Sequence, residues 1–164
     1  MAAFLGIALV ATLAGCRLDG GSTLPPPSDP ATQTYAPSTG VTIANMTRVS
    51  PQLYTQDVVV GTGRSVNVGD SIKVYYTGAL TGGFQFDGRV QPSTPFATVL
   101  DTLNLIKGWV GGLEGARVGG TRRMVIGPSL AYGYETRTNG NQVIIPSNSV
   151  LVFDVQVVDA FPRP

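Results

Sequence analysis

From Leu53 to the C-terminus the chain is written in short runs of β-branched and aromatic residues broken by glycine and proline, and this punctuation restricts its fold most. Such runs read as strands joined by turns: branched and aromatic side chains suit a pleated backbone, and Gly and Pro supply the turn dihedrals. The runs are Leu53 to Val60, closed by Gly61-Thr62-Gly63; Ser71 to Leu80, entered through Gly69-Asp70; Phe84 to Phe86 and Phe96 to Leu100, flanking a Pro-containing connection; Thr121 to Ile126, ended by Gly127-Pro128; and Val150 to Val158. The one candidate helix of note is Ile106 to Leu113, with Ile106, Trp109, Val110 and Leu113 at helical spacing on one face. Gly108, Gly111 and Gly112 each cost roughly 1 kcal/mol against Ala, so tertiary packing must hold it. The consistent architecture is α+β, a curved, mostly antiparallel β-sheet wrapped around one short α-helix.

Composition narrows the chemistry. A length of 164 residues with 43% hydrophobic and 13% charged residues and a net charge of +1 suits one ordinary globular domain. Charges are scattered apart from Arg122-Arg123, so no basic stripe tracks a phosphate backbone and no nucleic-acid partner is implied. There is no histidine and one cysteine, which removes most polar catalytic machinery and any internal disulfide. No cofactor and no metal site is indicated. An enzyme of this composition must work through an apolar aromatic pocket.

The N-terminal part has a different character. Residues Ala2 to Gly15 carry no charge and end in Leu13-Ala14-Gly15-Cys16. The run is shorter than the ~20 residues of a spanning helix but fits the apolar region of a signal peptide. Small residues before a cysteine resemble the lipobox of bacterial lipoproteins, which implies that Cys16 is acylated and anchors the protein to a membrane. A plain secretory signal or a buried helix is the alternative, and no Lys or Arg precedes the run. Arg17, standing where an aspartate would resemble an inner-membrane retention signal, favours the outer membrane facing the periplasm. Residues 17–45 are rich in Gly, Ser, Thr and Pro and read as a flexible tether, which would span roughly 25 to 30 Å as a coil or up to ~80 Å if polyproline-like. The expected domain organisation is thus a signal segment 1–16, a tether 17–45 and a folded domain 46–164.

Within that domain lie Val58-Val59-Val60-Gly61-Thr62-Gly63, Val74-Tyr75-Tyr76-Thr77-Gly78, Phe86-Asp87, Pro95-Phe96, Ile106-Lys107-Gly108-Trp109, Ala131-Tyr132-Gly133, Ile144-Ile145-Pro146 and Leu151-Val152-Phe153-Asp154-Val155. In order and spacing these motifs resemble the FK506-binding-protein type of peptidyl-prolyl cis-trans isomerase. The resemblance implies a pocket lined by Tyr76, Phe86, Phe96, Ile106, Trp109, Tyr132, Ile145 and Phe153, with Trp109 as its floor, Asp87 at its wall and Leu105 at its mouth. It also implies that the Ile106 N–H and the Tyr132 hydroxyl bind substrate carbonyls. Its expected partners are proline-containing polypeptides and macrolides of the FK506 or rapamycin type, and its expected state is a monomer. Catalysed X–Pro isomerisation in exported proteins is the implied function; the alternatives are a proline-peptide-binding or chaperone module without turnover, and a structural lipoprotein.

The chain departs from the family pattern around the wall. Pro92 stands where several members carry an arginine that pairs with the pocket aspartate, Thr98 replaces an aromatic and Leu130 replaces a tyrosine. The loop from Tyr134 to Val143 is longer than in the smallest members, has the polar tip Thr138-Asn139-Gly140-Asn141, and is expected to overhang the pocket.

Overall fold

Leu53-Tyr54, Met124-Val125-Ile126 and Leu151-Val152-Phe153 are apolar at consecutive positions, and consecutive residues of a strand face opposite sides of its sheet. A sheet made of these strands must therefore be covered on both faces. A computed structural model describes residues 24–163 and shows how this is done. The strands are β1 (Thr47–Ser50), β2 (Leu53–Val59), β3 (Ser71–Leu80), β4 (Gln85–Arg89), β5 (Phe96–Val99), β6 (Thr121–Ile126), β7 (Arg137–Asn139), β8 (Gln142–Ile145) and β9 (Leu151–Phe161), with helix α1 (Lys107–Leu113) between β5 and β6. The main sheet runs β1-β2-β6-β9-β3-β4, with β5 also on β3, and every pairing is antiparallel.

The sheet and single short helix are as expected; β1 and the β7–β8 hairpin are additional. The hairpin's polar tip has no apolar alternation to betray it, and Gly140 turns it with φ 58°. β4 continues past Phe86 because it pairs with β3, Gly78 opposite Asp87 and Tyr76 opposite Arg89.

The inner face carries the main core. Leu53, Ile72, Val74, Met124, Ile126, Leu151, Phe153, Val155 and Val157 pack there with Trp109, Val110 and Leu113 of α1. The helix lies so close to β6 that a Cβ on Gly108 would overlap the Ile126 side chain, and one on Gly112 would overlap Met124. Glycines that weaken α1 in isolation are what allow it to dock. Arg122 closes its far end, donating to the Glu114 carbonyl at 2.9 Å while pairing with both carboxylate oxygens of Asp57.

The outer face carries a second core in which Tyr54, Val125 and Val152 stand side by side in register. Its cover is the stretch that reads as a tether, and for the described part of 17–45 that expectation is corrected. Residues 24–45 form a strap of short 3-10 turns, Pro30–Thr32, Pro37–Thr39 and Ile43–Asn45, that brings Tyr35, Val41 and Ile43 onto the outer core beside Met46. Two of these turns begin at proline, whose fixed φ suits a first helical position. Pro30 is fully buried, and the Tyr35 hydroxyl donates to its carbonyl at 2.6 Å. The Ala36 N–H donates to Thr81 O at 2.9 Å, and Arg123 donates to the Gly40 carbonyl while forking onto Asp154 at 2.7 Å on each arm. That charged pairing raises the already high pKa of Arg123. The Arg122-Arg123 pair of the sequence thus fastens α1 on one face and the strap on the other. The signal segment 1–16, with Cys16, and Arg17 lie outside the described residues.

Candidate active site

Strand β3 is shared along one edge by two partners. Ser71 to Val74 pair with β5, and Tyr76 to Ala79 pair with β4. Tyr76 therefore stands where the sheet divides, with Phe96 of β5 on one side and Phe86 of β4 on the other. Beneath them Trp109 rises from α1 and Phe153 from β9. The rings meet edge to face, Tyr76 with Phe96 at 5.8 Å, Tyr76 with Trp109 at 5.2 Å, Trp109 with Phe153 at 5.4 Å and Phe153 with Phe86 at 5.7 Å. This geometry sets the positive edge of one ring against the negative face of the next. Gly78 makes room for it, since a Cβ there would lie 2.7 Å from Phe153 and 2.9 Å from Phe86.

These rings surround a cavity of about 530 Å³, whose wall also includes Asp87, Leu105, Ile106 and Tyr132. Trp109 is 4% exposed and sits deep among the aromatics, the position of a floor. Nine of the ten residues expected at the pocket are thus brought together. The exception is Ile145, which is 3% exposed within the main core and stands behind the cavity rather than on its wall. Residues that the sequence reading did not place on the wall also line it: Leu103, Asn104, Ala131, Glu135 and Arg137.

The polar groups are few and mostly held. Asp87 accepts from the Tyr76 hydroxyl at 2.8 Å and from the Gly88 N–H at 2.8 Å, and among the described residues no cation pairs with it. Pro92 offers Asp87 no side-chain donor, and the Tyr76 hydroxyl is the side chain that holds the carboxylate. Burial, then the bond to Asp87, pushes the Tyr76 phenol up to about 12. Burial also raises Tyr132, against the opposing influence of Arg137, whose guanidinium lies 4.5 Å from the centre of the Tyr132 ring. Both hydroxyls therefore stay protonated at neutral pH.

Ile106 caps α1 in extended conformation (φ −61°, ψ 146°), and among the described residues its N–H has no acceptor. Just before Ile106 in the chain, the Asp101 carboxylate accepts from the N–H groups of Leu103 and Asn104 at 3.1 Å each. That turn lifts Leu103 to 91% exposure at the mouth. Glu135 and Arg137, linked at 3.7 Å, bring the β7–β8 hairpin over the other side, as the long loop suggested.

An apolar well with a protonated tyrosine, an unpaired backbone donor and a carboxylate held by neutral groups can grip a small ring and its flanking carbonyls.

Comparison with known proteins agrees. Residues 62–158 match the family model for FKBP-type peptidyl-prolyl cis-trans isomerase. The probable FKBP-type peptidyl-prolyl cis-trans isomerase of Haemophilus influenzae is 41% identical over 103 residues, 63% of this chain and 40% of that one. The crystal structure of FkpA from Escherichia coli superposes with a TM-score of 0.62 at 36% identity, covering 73% of this chain and 53% of that one. That of AtFKBP13 superposes with a TM-score of 0.59 at 34% identity, covering 66% and 93%. The chain spans 20% to 65% of the length of curated relatives such as FK506-binding protein 4 of Chaetomium thermophilum and FK506-binding protein 2 of Dictyostelium discoideum. The matched stretch contains the whole aromatic well, and by sequence, fold and site the chain belongs to the FKBP-type peptidyl-prolyl cis-trans isomerase family.

Proposed function

We propose that the chain catalyses cis-trans isomerisation of X–Pro bonds in exported polypeptides, acting as a monomer. The observation that carries this reading is the aromatic well closed below by Trp109, with the Ile106 N–H free beside it. Rotation of an X–Pro bond crosses a barrier of about 20 kcal/mol because twisting breaks amide resonance. In the twisted state the nitrogen regains its lone pair and the carbonyl loses its conjugated dipole, so that state needs water less than the planar amide does. A pocket that strips water from the proline, while the Ile106 N–H and Tyr132 hydroxyl hold the flanking carbonyls in a turn, binds the twisted state better than the planar one. That difference is the catalysis. Phe86, Phe96 and Phe153 would grip the pyrrolidine ring, and Asp87, fixed by Tyr76, would set the potential of the wall. The same well suits macrolides of the FK506 type.

A protease-coupled assay with an Ala-Leu-Pro-Phe peptide tests the reading. Exchange faster than in buffer is expected, and kcat/KM should change by less than about twofold between about pH 6 and pH 8, since the chain has no histidine to titrate there. The raised tyrosine pKa values keep both hydroxyls as donors through that window and above it. Exchange at the buffer rate in folded protein would sink the proposal and leave a peptide-binding module; a bell-shaped profile would point to proton transfer instead.

We also propose that Cys16 is acylated and holds the domain at a bacterial membrane, facing the periplasm. Support comes from Leu13-Ala14-Gly15-Cys16 after an apolar run. No helix among the described residues is long and apolar enough to cross a membrane. Cys16→Ser should abolish incorporation of labelled palmitate and release the protein from membranes; retention on the membrane without label would refute the anchor.

A further inference from the structure

The wall that carries Ala131 and Tyr132 is poorly held by its own backbone. Between Gly127 and Glu135 the donated backbone bonds are local, Leu130 to Gly127, Ala131 and Gly133 to Pro128, Glu135 to Tyr132, apart from Gly127 itself, which donates to Gln52 O. Nothing in that set fixes the Tyr132 end against the sheet. The attachment comes from Asn148, whose backbone is left-handed (φ 58°) and whose N–H donates to Gly133 O at 2.9 Å.

Asn148 in turn is gripped by the strap. Its Oδ1 accepts from the Ser28 N–H at 3.0 Å, and its Nδ2 donates to Pro26 O at 3.3 Å. The Tyr134 hydroxyl donates to Pro25 O, and Gln52 joins the two sides, donating from Nε2 to Ser28 O at 3.2 Å and accepting at Oε1 from the Ser129 N–H at 3.4 Å. Proline-rich backbone suits this task, because Pro25, Pro26 and Pro27 offer carbonyls without competing N–H groups and lose little freedom on docking.

We propose that residues 25–28 are a positioning element for the active site: the strap end, through Asn148 and Tyr134, holds the Tyr132 wall at the distance from Trp109 that a bound proline requires. The inference rests on the isomerase reading of the pocket. Among the described residues no part of the strap lines the cavity, and it acts through the loop behind the wall.

The test uses the full chain with Asn148→Gly and Tyr134→Phe combined. Glycine keeps the left-handed backbone and the N–H bond to Gly133 but removes both side-chain bonds to the strap. Hydrogen exchange of peptides 24–30 and 131–137 is followed alongside kinetics on the Ala-Leu-Pro-Phe peptide. Exchange should quicken in both segments, and KM should rise roughly threefold to tenfold with kcat changed less, as expected for a binding wall that is misplaced rather than removed. Asn148→Asp, which still accepts from the Ser28 N–H, should lie between parent and double variant. Faster exchange confined to 24–30 with KM unaltered overturns the proposal, and so does unaltered exchange in 24–30. An inactive parent refutes the isomerase reading instead, and the exchange data still decide the coupling.

Discussion

Trp109→Ala should lower stability by about 3 to 5 kcal/mol and kcat/KM by about 10- to 100-fold. The ring is 4% exposed and links Tyr76 to Phe153, so its removal costs each of them one of its two edge-to-face partners and breaks the row of rings in the middle. The cavity cannot collapse easily, because α1 is already seated on Ile126 and Met124 at glycine distance. The kinetic loss has a separate origin. A proline ring resting on the indole gains apolar contact worth about 1.5 to 3 kcal/mol, and this contact is lost with the floor. Trp109→Phe keeps an aromatic floor and should recover most of the stability while remaining several-fold slower. Urea unfolding followed by circular dichroism, since the sole tryptophan is gone, and the peptide assay on the folded fraction measure the two effects. Activity within about twofold of the parent would place the chemistry elsewhere.

Tyr35→Ala should cost about 2 to 3 kcal/mol, an effect that no residue of a free linker could have. Tyr35 is partly buried on the outer core and closes the first strap turn through its hydroxyl on Pro30. Burial raises its pKa, as it does for the site tyrosines. Losing the ring uncovers the Tyr54, Val125 and Val152 row and leaves the strap with proline turns and scattered hydrogen bonds. A shift of the urea midpoint at constant slope is the expected reading; a midpoint unchanged from the parent would restore the tether view of this stretch.

How far the residues alone reveal this molecule depends on what surrounds each of them. Ser71 to Leu80 and Thr121 to Ile126 are read to the residue because glycines bracket them and their side chains suit strands. α1 begins one residue later than its apolar face, because Ile106 serves as cap and contributes its N–H rather than a helical turn. Ile145 is drawn into the main core, against which Ile144 also packs, and neither reaches the cavity wall; an apolar pair in a strand does not by itself tell core from pocket lining. Leu103 and Arg137 are missed because neither belongs to an apolar pattern; a turn around Asp101 and a polar hairpin bring them to the rim. The strap is hidden by composition, since Pro, Ser and Thr without a period describe both a linker and a chain of 3-10 turns. The clue lies in its partners, where Tyr54, Val125 and Val152 are apolar on positions that alternation would expose.

Docking of the strap also sets a leash length. Read as a coil or a polyproline rod, residues 17–45 give the domain a wide radius of action. With the chain seated on the domain from Pro25 onward, only nine peptide steps separate it from Cys16, at most about 32 Å fully extended. That departure point lies beside Tyr134, at the back of the substrate wall. On the lipid-anchor reading, the isomerase would work within about one protein diameter of the bilayer, meeting clients as they emerge at the surface rather than sampling the compartment beyond it.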